Sequence, residues 1–183
     1  MVGSATAGGY LLVLAILLPV VGILVSLTLG GRQAQHVAFV VMPVGLAVAI
    51  AVAVRVWLTR DALQYFVGGW MPPLGVAFRA DGLSAVMMVT TAMLICAIGL
   101  FARAQFATPR GVETRAPVMF WILLLAVWSA LNMVFVGSDL FNLYVALELL
   151  TFAAVPLVCL DGRQETIAAA LRYLLFALLG SIL

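Results

Sequence analysis

The sequence predicts an all-α polytopic membrane protein of about six transmembrane helices, with a short outer β-hairpin loop between helices two and three. Three observations carry this. Of 183 residues 66% are hydrophobic and 9% charged, too apolar for a water-soluble domain of this size to hide. Six apolar runs, at about 10–30, 36–58, 82–102, 117–136, 140–160 and 165–183, each approach the roughly 20 residues that span a bilayer at 1.5 Å per residue. Turn signals cluster in a single long connection, 59–82.

The first run follows MVGSATAGGY, which lacks a positive n-region, and it is longer than a signal-peptide core, so it reads as a spanning helix. Arg55, near the end of the second run, is placed to snorkel. In TRDALQYFVGGWMPPLGVAFRADG, Gly68-Gly69 and Pro72-Pro73 are turn signals between β-prone pieces around QYFV and GVAF. A surface hairpin follows, with Tyr65, Trp70 and Phe78 expected near the headgroups and Asp81 capping helix three. In helix four, Trp121 and Trp128 share one face and suit packing, while Ser129 and Asn132 either line a polar interior or bond across helices. Asp139, after Gly137-Ser138, reads as the cap of helix five rather than a proton carrier. The sixth run stops at Leu183 without a polar flank, as expected of a truncated or split chain.

Charge sets the orientation. All nine basic residues are arginine. Connections 1–2, 3–4 and 5–6 carry Arg32, Arg103, Arg110, Arg115 and Arg163, against Arg55, Arg60 and Arg79 on the other side. The positive-inside rule then puts the N-terminus outside a bacterial-type inner (cell) membrane. A net charge of +2 gives no nucleic-acid footprint. Cys96 and Cys159 lack CxxC spacing and read as small apolar residues, and the lone His36 rules out bis-histidine haem ligation within the chain. No metal site, nucleophile triad or phosphate loop is evident, so no catalytic residue, cofactor or metal is assigned.

One residue stands against this apolar background. In GSDLFNLYVALELLTFAAVPLVCLDG only Glu148 is formally charged among the 21 residues between Asp139 and Asp161. A charge near a helix centre costs roughly 2.5–3.5 kcal/mol on insertion scales, which makes it a functional candidate. At 100° per residue Tyr144, Glu148, Thr151 and Val155 share an arc about 60° wide, expected to look into the bundle. Pro156 removes a hydrogen bond to the Phe152 carbonyl and is expected to kink the helix below Glu148. Arg172 on helix six lies about 12 Å from the cytoplasmic end and Glu148 about 18 Å, an offset its side chain can bridge. It either pairs with Glu148 or snorkels to the interface. A buried carboxylate is held ionised by a neighbouring cation and becomes neutral without one. A group balanced between those states suits proton exchange, whereas arginine stays charged.

These stretches resemble the antiporter-like membrane subunits of respiratory complex I, membrane-bound hydrogenases and Mrp-type cation/proton antiporters. VGGWMPPLGVAFRADGLSAVMMV is similar to the family's segment before helix three. GSDLFNLYVALELL is similar to the helix holding its proton-handling glutamate, matched by Glu148, and AAALRYLLFALLGSIL to the next helix, where many members have lysine at Arg172. The DLFNLYV wording is closest to the Mrp D subunit. The resemblance covers about 60–183 and implies the N-terminal part of a 14-helix subunit. It implies that Glu148 and Arg172 contribute to a proton path, for which the residue pattern itself offers Tyr144, Thr151, Asn132 and Asp139 as supporting polar groups. The implied partners are other membrane subunits, with protons, and Na+ as a second ion, as cargo. The family's broken helix seven with its lysine is absent here, so the rest lies on another chain, or the sequence is a fragment or a shortened subunit. The expected function is a membrane subunit of a proton- or cation-translocating complex, NADH:quinone oxidoreductase-like or Mrp-type. The alternative is a scaffolding subunit with no transport of its own, in which a Glu148–Arg172 pair fixes helix register.

Overall fold

The computed structural model describes residues 6–70, 75–105 and 115–182. The chain folds as helices α1 (Tyr10–Leu29), α2 (Gln33–Thr59), α3 (Gly82–Gln105), α4 (Arg115–Val136), α5 (Leu140–Val158) and α6 (Gln164–Ile182). Strands β1 (Leu63–Phe66) and β2 (Ala77–Ala80) lie between α2 and α3. Among the described residues, α1 to α5 are long and apolar enough to cross a membrane. At 27 residues α2 measures about 40 Å, longer than the ~30 Å hydrocarbon core, so it tilts or projects beyond it. It ends at Arg60, whose left-handed backbone (φ 59°) returns its N–H to the Val56 carbonyl while its guanidinium lies 5.3 Å from the centre of the Trp57 ring.

The core sits among α1 to α4. Lipid tails give apolar helices no hydrophobic reason to associate, so close packing of small residues does the work. Ala15, Ala34, Ala38, Ala49, Ala85 and Ala92 are all buried there, around Met42, Met88, Trp121, Leu125 and Trp128. Gly45 of α2 lies directly under the Trp128 ring, in space that a Cβ would occupy. Of an 18-residue apolar stretch of α4, 56% is buried, against 11% of the corresponding stretch of α5. Helix α4 is therefore the hub and α5 a peripheral helix laid against it, with α6 packed on α5.

The hairpin pairs Leu63 with Ala80 and Phe66 with Ala77 in antiparallel register. Gly68 and Gly69 supply positive φ (68° and 76°) where the chain leaves β1. The Pro72-Pro73 turn lies outside the described residues, as does Arg110. Trp70 is exposed, but Phe78, expected at the headgroups, is 8% exposed and belongs to the core. The two-residue period of β2 explains this, since Phe78 and Ala80 point the same way, inward. Asp81 caps α3 by accepting the Ser84 N–H at 2.9 Å, a bond that favours its ionised form and holds its carboxyl below the usual carboxylate range.

Candidate functional site on helix five

Helix α5 begins with a double tether. Asp139 accepts the Asn142 backbone N–H at 2.8 Å through one carboxylate oxygen and the Asn142 side-chain amide through the other. Asn142 is 3% exposed, and it shares the inward face with Ala146 and Ala153. Those three positions fall within an arc of about 40°. Tyr144, Glu148, Thr151 and Val155 lie nearly opposite, about 170° away from arc centre to arc centre.

The expected inward orientation of the Glu148 arc is therefore corrected. Glu148 and Thr151 are half-buried and Tyr144 is 43% exposed, on the side of α5 turned away from the α1–α4 core. The residue types that decide the inward face are the small ones. Alanines at 146 and 153 let α5 approach α4, and that spacing was a readable signal. The Thr151 hydroxyl turns back onto its own helix, donating to the Leu147 carbonyl at 3.0 Å.

Arg172 is exposed on α6, and among the described residues no ion pair joins it to Glu148. The ion pair nearby is Arg163–Asp161 at 3.8 Å, in the α5–α6 turn. Between the two helices lies an apolar cleft of about 350 Å³ lined by Ala154, Val155, Thr166, Ala169, Ala170 and Tyr173. Val155 belongs to the Glu148 arc, so the arc runs on into the cleft about 10 Å along the helix axis from Glu148. Pro156 lies inside α5, which continues to Val158 before tightening into the 3₁₀ turn Cys159–Asp161.

Asn132 does not accompany Glu148. It is buried in α4, where its amide donates to the Ala15 carbonyl of α1 at 2.8 Å, and Ser129 donates to the Ile16 carbonyl at 3.1 Å. The reason is Pro19: it has no N–H, so the Ala15 carbonyl four residues earlier loses its helical donor. Within lipid such a carbonyl needs a partner from a neighbouring helix, and Asn132 supplies it. Of the two openings the sequence left for Asn132 and Ser129, the structure takes the bond across helices. Cys96 and Cys159 are free thiols, half-buried.

Long apolar helices around a packed hub, a small hairpin at one end and one carboxylate on a peripheral helix define a multi-pass membrane protein. No family model matches the chain. It is 31% identical over 173 residues to the putative antiporter subunit mnhD2 of Staphylococcus aureus (strain JH9), covering 93% of this chain and 34% of that protein. It is 26% identical over 140 residues to the D subunit of a Na(+)/H(+) antiporter of Bacillus subtilis (strain 168), covering 76% of this chain and 27% of that one. Its fold matches a chain of the membrane-bound sulfane sulfur reductase, an archaeal respiratory membrane complex, with a TM-score of 0.80 at 21% identity over 93% of this chain and 34% of that one. It also matches a chain of the Mrp complex from Dietzia sp. DQ12-45-1b, with a TM-score of 0.77 at 23% identity over 97% of this chain and 33% of that one. The chain is thus similar to antiporter D subunits, and it spans about a quarter to a third of the length of those it matches.

Proposed function

We propose that this chain contributes to a membrane subunit of a proton- or cation-translocating complex, with Glu148 as the carboxylate that exchanges protons. The observation that carries this reading is the place of Glu148: the one formally charged side chain in α5, half-buried, on a face the chain's own core does not use. A charge at that depth, in a chain similar to antiporter D subunits, is retained for chemistry rather than for packing. Arg172 is the fixed positive charge of the same site. Since it does not pair with Glu148 here, it acts by approach during turnover or through its field across the α5–α6 cleft. The partners are other membrane subunits, the cargo is protons with Na+ as the second candidate, and the membrane is bacterial-type with the N-terminus outside.

Glu148→Gln keeps the shape and removes the exchangeable charge. Coupled transport in membrane vesicles should be abolished while the complex assembles at parental levels. Parental proton transport by the assembled variant would overturn the assignment.

A further inference from the structure

Helix α5 has little of its own surface buried, so its position depends on how its ends are held. The N-terminal end is fastened to the hairpin. The Val67 N–H bonds the Val76 carbonyl at 2.9 Å, making 67 and 76 a hydrogen-bonded pair of the antiparallel ladder. Pairs alternate along such a ladder, so at the next pair, Phe66 and Ala77, the polar backbone groups point away from the partner strand. The Ala77 carbonyl therefore faces out from the free edge of β2. The α4–α5 turn covers that edge: Ser138 donates its hydroxyl to the Ala77 carbonyl at 2.7 Å, and Gly137 forms a β-bridge with Phe78. The next residue, Asp139, caps α5 and grips Asn142, the first residue of its inward face. Edge, turn, cap and inward face thus form an unbroken series of contacts, and Glu148 lies six residues beyond Asn142, about 120° around the helix.

We infer that the outer edge of β2 is a clasp that sets the axial rotation of α5, and that Ser138 is a positioning residue for Glu148. The inference rests on the proposed role of Glu148, although the clasp can be read independently of it. Ser138 is exposed as a residue, so the turn accommodates alanine or an added methyl without a packing change.

The test uses membrane vesicles containing the chain with its native neighbours, with Cys96 and Cys159 replaced by serine. Spin labels on Gln64→Cys in β1 and Leu147→Cys in α5 report the position of α5 relative to the hairpin. Ser138→Ala should displace and broaden the label distance distribution. Transport per assembled chain should fall about fivefold, the equivalent of one neutral hydrogen bond. Ser138→Thr should restore both, whereas Ser138→Val, of the same shape without the hydroxyl, should behave like alanine. An unchanged distance distribution in the alanine and valine variants would overturn the clasp. A displaced distribution with parental transport would overturn Ser138 as a positioning residue. Failure of the Glu148 reading is separate: it appears as transport retained by Glu148→Gln, and it leaves the label distances untouched.

Discussion

Asn132 and Pro19 lie 113 residues apart in sequence and address one peptide carbonyl. Proline withholds an N–H from Ala15, and asparagine returns one from the neighbouring helix at 2.8 Å. Such a pair should be non-additive. Asn132→Leu should destabilise the fold by about 1–2 kcal/mol, because the Ala15 carbonyl is left bare in an apolar interior. In a Pro19→Ala background the same change should cost markedly less, since alanine's own N–H reaches that carbonyl. Thermal unfolding of the four variants in detergent closes the cycle, and equal costs in both backgrounds would disprove the link. The sequence shows both residues and gives each a local meaning, a proline within one apolar run and an amide within another. Only tertiary pairing of α1 with α4 reveals that one answers the other.

At the scale of elements, the caps carry local instructions that can be read directly. Asp81 and Asp139 each accept the backbone N–H three residues ahead, as an aspartate placed just before an apolar helical run leads one to expect. For Asp81, outside the spanning segments, the folded carboxyl is more acidic than the unfolded one, above all through the Ser84 N–H. Its charge therefore adds stability above the unfolded value near pH 3.9, and that contribution is lost as pH falls through the lowered folded value. Asparagine also caps helices, so Asp81→Asn isolates the charge. The variant should unfold earlier than the parent at neutral pH, with the gap closing as pH falls below about 4. A gap independent of pH would mean that the carboxylate charge is irrelevant to α3. The facing of α5 was harder to read. Tyr144, Glu148 and Thr151 form the polar arc that intuition turns inward, yet Asn142, Ala146 and Ala153 occupy the interface because backbone approach between helices in lipid favours small side chains. Hydrophobic amplitude cannot settle this in a helix apolar on nearly every side.

Across the whole molecule, two ends emerge from contacts rather than from charge counting. The residues before α1, the hairpin and the α4–α5 turn meet at one end: Thr6 bonds Gln64, and Phe78 and Ala77 meet Gly137 and Ser138. At the other end the guanidinium of Arg103, from the end of α3, lies 5.8 Å from the centre of the Phe39 ring near the start of α2. The α5–α6 turn with Arg163 belongs to that second end, because α5 runs away from the hairpin. The described arginines outside the spans thus sort by end, and the proposed orientation, which follows the positive-inside rule, has the hairpin end outside. Arg163 is 81% exposed at its side chain and Asp61 is exposed as a residue, so either site accepts a cysteine probe. With Cys96 and Cys159 replaced by serine, Arg163→Cys should react with an impermeant maleimide in inverted vesicles but not in right-side-out ones. Asp61→Cys should show the reverse. The opposite pattern at both sites would invert the molecule. It would put the proposed Ser138 clasp on the cytoplasmic side and the proposed proton exchange at Glu148 on the other face.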